Sequence, residues 1–168
     1  TRTLEILDKL ISFDTVSDRS NLELIAYVED FLKARGYAVT RLSDPTEPKA
    51  GLFASIGPEG AGVMLSAHTD VVPVDGQAWT TDPFTLTPRG DRLVGRGATD
   101  MKGFLACVLA RALQLDAPNH PMMIALSWDE EIGCRGIAEM IDQVIPTLGR
   151  PDLVIVGEPT QMRLCTGH

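Results

Sequence analysis

Five apolar residues, Met122, Met123, Ile124, Ala125 and Leu126, end in Ser127 and Trp128 and run directly into Asp129, Glu130 and Glu131. A short apolar run bounded by turn signals reads as a buried strand of an α/β sheet. Such a strand needs cover on both faces, which calls for helices layered around a sheet. Its C-terminal end is where open α/β sheets place their ligands. Three carboxylates leaving a buried strand repel one another unless solvent or a cation intervenes. For an isolated acidic triplet a solvated loop is the plainer reading, so the rest of the chain has to supply partners.

The flanking sequence alternates helical and strand patterns. Leu4, Leu7, Leu10 and Ile11 recur at helical spacing over residues 3–12. A second helix is expected to start near Ser20 or Asn21, a plausible N-cap, and to stop at Gly36. Residues 37–42 alternate, and residues 52–56 and 63–67 are short apolar strands. The Gly57-Pro58-Glu59-Gly60 turn between those two predicts a hairpin. Residues 71–81 read as an irregular loop, and residues 84–94 as a small hairpin about Arg89-Gly90-Asp91. A helix is predicted over 102–115, a short one about 137–141 ending before Pro146, and a buried strand over 153–156. With 168 residues, 44% of them hydrophobic and 23% charged, the chain has enough apolar residues for one domain core.

A net charge of −8 argues against nucleic acid or an anionic membrane as partner. No apolar run reaches membrane-span length. Three cysteines, Cys107, Cys134 and Cys165, make no C-x-x-C pair, which favours reduced thiols and a cytoplasmic setting.

Four segments end in metal-competent residues: His68 with Asp70, Asp100, Glu130 with Glu131, and Glu158. Each has an ordinary explanation alone; Thr99-Asp100 before a helix, for example, fits an N-cap. Together they require four coincidences at one sheet edge, and a shared site is the better reading. One histidine with several carboxylates suits zinc, cobalt or manganese. Asp70 can hold the histidine nitrogen that does not face the metal, directly or through the local network. The acids exceed the needs of one ion; two ions bridged by one carboxylate would use them and leave one glutamate free as a base.

Ser66-Ala67-His68-Thr69-Asp70-Val71-Val72-Pro73, Gly95-Arg96-Gly97-Ala98-Thr99-Asp100-Met101-Lys102-Gly103, Asp129-Glu130-Glu131 and Gly157-Glu158-Pro159-Thr160 together resemble the co-catalytic zinc aminoacylase and carboxypeptidase family. The order and spacing match over nearly the whole chain. The resemblance implies a layered α/β/α zinc-exopeptidase-like catalytic domain. It implies that His68 and Glu158 hold one metal, that Asp100 bridges two, and that Glu131 holds the second. Catalytic roles fall to Glu130, as general base, and to Asp70, behind His68. It also implies a cis peptide after Asp100, two Zn2+ per full-length site with Co2+ as an alternative, and an N-acyl amino acid as substrate.

Members of that family are roughly twice this length. The resemblance therefore implies that residues 1–168 are the N-terminal portion of the catalytic domain. Thr166-Gly167-His168 would be the crossing into an inserted lid domain, through which the protein forms a homodimer. A further histidine ligand and an oxyanion-stabilising histidine would lie beyond His168, so this stretch alone is expected to be inactive. The competing readings are another N-acyl amino acid hydrolase or dipeptidase and, from a different class, a non-catalytic metal-binding or interaction module. Retention of both Glu130 and Glu131 speaks against the module, because binding has no need of a spare base.

Overall fold

The computed structural model describes residues 2–166; Thr1, Gly167 and His168, and with them most of the expected crossing into a second domain, lie outside the described residues. Helices α1 (Arg2–Ile11) and α2 (Leu22–Lys33) precede strands β1 (Ala38–Ser43), β2 (Ala50–Ile56) and β3 (Val63–His68). A hairpin of β4 (Thr87–Arg89) and β5 (Arg92–Val94) follows. Then come α3 (Lys102–Ala112), β6 (Met122–Ser127), α4 (Arg135–Leu148) and β7 (Leu153–Val156). No helix among the described residues is long and apolar enough to cross a membrane.

The main sheet has five strands in the order β1-β2-β6-β3-β7. β6 takes an inner position, antiparallel to β2 and parallel to β3, and β7 continues parallel to β3. Alternation along β6 feeds two cores. Met122, Ile124 and Leu126 join α1, α2 and α3 in one cluster, while Met123 and Ala125 join Phe53, Trp128 and Met140 of α4 in the other. The result is an α/β/α sandwich with three helices on one face and α4 on the other. Each fully buried leucine, isoleucine or phenylalanine side chain contributes about 1.5–3 kcal/mol relative to exposure. β2 and β6, buried on both faces over most of their length, therefore anchor the domain.

Three sequence expectations change. The turn at residues 57–60 does not make β2 and β3 a hairpin, because β6 inserts between them and pairs with both. A strand apolar on both faces gains most from an inner position, and that burial outweighs the local turn. The predicted short helix does not stop before Pro146; α4 runs on to Leu148. Proline there removes one hydrogen bond near the helix end, while Val144 and Leu148 on either side still pack against the second cluster. The strand at 153–156 forms, but at the sheet edge and exposed, with Leu153 and Val156 at 52% and 56%.

Candidate metal centre

The three parallel strands β6, β3 and β7 point the same way, so their C-terminal ends open on one edge. β3 ends in His68, opposite Ser127 of β6. β6 continues through the buried Trp128 to the acids. β7 continues into Gly157, whose N–H donates to the Ser66 carbonyl at 3.3 Å, and then Glu158. A side chain at Gly157 has no room: a Cβ there would lie 2.0 Å from the Phe104 ring. Asp100 arrives from the other direction, just before α3, and the Asp100–Met101 peptide is cis. Asp100 does not cap α3. Met101 occupies that position, and the Asp100 carboxylate turns to His68.

His68 is the centre of the group and is buried. Its Nε2 lies 3.0 Å from Asp100 Oδ1, 3.8 Å from Glu158 Oε1 and 4.0 Å from Glu130 Oε2. Its Nδ1 lies 3.0 Å from the Asp70 backbone carbonyl and 3.5 Å from Asp70 Oδ1. A carbonyl only accepts, so Nδ1 carries the proton, and in the neutral ring Nε2 presents its lone pair to the carboxylates. Burial opposes charge on this ring, but Asp70, Asp100 and Glu158 outweigh it and raise the pKa to about 9. At neutral pH the ring is thus a cation among carboxylates.

Two sets of side chains place one ligand atom each within 4.8 Å of one another: His68 with Glu130 and Glu158, and His68 with Asp100 and Glu131. An imidazole nitrogen with carboxylate oxygens is a donor set for a borderline divalent ion. The need for positive charge among these acids is also visible in Glu131. Partial burial and the neighbouring Asp100 carboxylate raise its pKa above the usual carboxylate range. The residues present therefore fit a metal site. Beside them opens a cavity of about 420 Å³, with Cys134 and Ile137 on its wall. The Cys134 thiol donates to Glu130 Oε1 at 3.5 Å. Burial and that carboxylate push the thiol pKa up, which blunts it as a nucleophile.

Residues 64–166, more than half of the chain, match the model of Peptidase family M20/M25/M40. The chain belongs to that family. It is 40% identical to an acetylornithine deacetylase of Myxococcus xanthus over 162 residues, covering 93% of this chain and 41% of that protein. A Shigella sonnei acetylornithine deacetylase is 37% identical, with 98% of this chain and 45% of that protein covered. The chain thus spans less than half the length of the curated relatives it matches. Among solved structures, human carnosine dipeptidase 1 superposes with a TM-score of 0.81 at 22% identity, over 92% of this chain and 38% of that one. An M20 family metallo-carboxypeptidase, Sso-CP2 of Sulfolobus solfataricus, gives 0.80 at 24% identity, over 94% of this chain and 37% of that one. These likenesses establish the fold.

In this M20/M25/M40 chain every residue singled out from sequence lies at the one edge: His68, Asp70, Asp100, Glu130, Glu131 and Glu158. Asp70 stands behind His68, on the ring nitrogen that faces away from the other carboxylates. Its backbone carbonyl, more than its carboxylate, meets His68. The carboxylate also accepts from the Glu130 and Glu131 N–H groups at 3.1 and 3.3 Å and from the Ser17 hydroxyl at 2.6 Å. Burial works against its charge, yet His68, Ser17 and the Glu130 N–H hold its pKa below the usual range.

Sequence reasoning passed over Ser17, Lys49 and the true part of Asn21. Asn21 stands at the expected N-cap position of α2, but its side chain makes no cap hydrogen bond. Its side-chain amide bonds both the N–H and the carbonyl of Ala50, and Thr69 Oγ1. Lys49, in a proline-containing loop, is buried against Asp129. Nothing in its local sequence separates it from a solvated lysine.

Proposed function

We propose that this chain is the N-terminal portion of the catalytic domain of a metal-dependent amidohydrolase that removes the acetyl group from N-acetylornithine, giving ornithine and acetate. The observation that carries the reading is the convergence of His68, Asp100, Glu130, Glu131 and Glu158 on one sheet edge. The names of the relatives, at 40% and 37% identity, support the choice of substrate. Zinc fits the donor set best, with cobalt as a substitute. His68 and Glu158 would hold one ion and Asp100 and Glu131 the other. When bound, such ions polarise an amide carbonyl and acidify a water.

The protein's own residues supply the rest. Glu130 has a side chain 37% exposed to the cavity, within 4.0 Å of His68 Nε2. It takes a proton from the attacking water as the C–O bond forms. As the C–N bond breaks it returns that proton to the leaving amine. Asp70 keeps both halves of the site in register, through the Glu130 and Glu131 N–H groups on one side and its carbonyl to His68 on the other.

In the longer protein a lid domain and a returning segment complete the site, supply a further histidine ligand and an oxyanion donor, and form a homodimer in the cytoplasm. Loss of one oxyanion donor alone typically costs about 10²–10³ in rate. The 168-residue polypeptide is therefore expected to bind at most one zinc tightly and to turn over negligibly. The test compares N-acetylornithine with N-succinyl-diaminopimelate on full-length protein carrying zinc. Preferential release of acetate, lost in Glu130→Gln with metal content retained, is the expected result. Preference for the succinyl substrate would move the protein to a sister activity. Tight zinc with no turnover of these substrates, other N-acyl amino acids or dipeptides would make it a binding module.

A further inference from the structure

Asp129 precedes the two glutamates and is itself buried, with a backbone φ of 55°. That left-handed conformation is uncommon for a residue with a side chain and persists where surrounding contacts hold it. Here it aims the next two N–H groups at Asp70. The contacts that hold it come from a distant segment. Lys49 Nζ donates to both Asp129 carboxylate oxygens, at 2.7 and 2.8 Å, and to the Ser17 carbonyl at 2.6 Å. It also lies 2.9 Å from Glu47 Oε2. Its three protons are therefore used.

Ser17 closes the circuit. Its carbonyl accepts from Lys49 while its hydroxyl donates to Asp70 Oδ2. A parallel bridge between Val16 and Val71 brings the two segments side by side. The acidic turn is thus gripped at both ends, by Lys49 through Asp129 and by Asp70 through the Glu130 and Glu131 N–H groups. Without Lys49, the Asp129 carboxylate would be buried without a counter-charge. The turn would swing it towards water and carry Glu130 and Glu131 with it.

We propose that Lys49 is a positioning residue for the metal centre: its ammonium group pins Asp129 and so sets Glu130 and Glu131 facing His68. This rests on the metal-centre reading above. The proposal makes a prediction of unusual sign. Lys49 is a cation near a cation site, so charge alone says that removing it should tighten metal binding. Positioning says that removing it should loosen binding.

The experiment titrates the full-length apo-protein with Co2+, following the visible d–d absorption, alongside far-UV circular dichroism and thermal melting. Wild type is compared with Lys49→Met, with the charge-balanced double variant Lys49→Met/Asp129→Asn, and with Glu131→Gln as a benchmark for a lost ligand. We expect both Lys49 variants to bind Co2+ at least tenfold more weakly, the scale on which outer-shell partners act, with an altered d–d spectrum and native circular dichroism. If Lys49→Met does not fold, the double variant decides, because it buries no unpaired charge. Unchanged or tighter binding by the folded double variant, with Glu131→Gln weakened, overturns the proposal and leaves the metal centre standing. If wild type binds no Co2+, the metal-centre reading fails, and this inference with it.

Discussion

Replacing Lys102 with methionine should stabilise the protein, and by more at pH 7 than at pH 9. Lys102 is fully buried at the start of α3, where its Nζ donates to the Phe13 carbonyl at 2.7 Å. Burial pushes its pKa down from 10.5 to about 7, with Asp14 working the other way. The folded value lies below the unfolded one, so between those two pH values the unfolded chain holds more protons. The contribution of Lys102 to stability then rises with pH across the window from about 7 to 10.5. Each pH unit inside it corresponds to about 1.4 kcal/mol. Lys102 should therefore cost the protein about 2–3 kcal/mol more at pH 7 than at pH 9, a cost the methionine variant lacks. Loss of the Phe13 hydrogen bond adds a constant offset of about 1 kcal/mol or less, independent of pH. His68 titrates in the same range, but it does so in both proteins and cancels in the difference. Urea denaturation at pH 7, 8 and 9 measures the gap between the two. A gap that stays flat or narrows as pH falls would refute the reasoning.

Gly157→Ala should weaken zinc binding at least tenfold without unfolding the domain, because the new Cβ meets the Phe104 ring at 2.0 Å and must displace Glu158; isothermal calorimetry giving wild-type affinity would refute it. Zinc binding near pH 7.5 should release about one proton from His68, whose pKa is raised to about 9. Calorimetry in buffers of differing ionisation enthalpy reads that number, and a value of zero rules out a protonated ring. The exposed edge strand β7, with Ile155 at 43%, and the exposed Ile141 and Ile145 of α4 should make the 168-residue polypeptide self-associate. Sedimentation velocity should show less association for Ile155→Lys, and a monodisperse wild-type monomer at high concentration would contradict the idea.

Local signals in the chain mark where most strands and helices lie, and which residues stand at their ends. An apolar run of five such as 122–126 reports that a segment is buried, and the acids after it report where it emerges. Those signals are local, carried by neighbours in the chain, and they were enough to name His68, Asp70, Asp100, Glu130, Glu131 and Glu158 as one group. The position of β6 between β2 and β3, the run of α4 through Pro146 and the exposed edge at β7 come from long-range packing. Backbone hydrogen bonds are nearly blind to side-chain identity, so a strand's neighbour is settled by how whole faces are covered and not by the turn beside it. The same holds for Lys49 and Ser17. Lys49 meets Asp129 across 80 residues of chain, and Ser17 meets Asp70 across 53. Local periodicity carries no trace of such pairs, because their energy exists only once the sheet has brought the segments together.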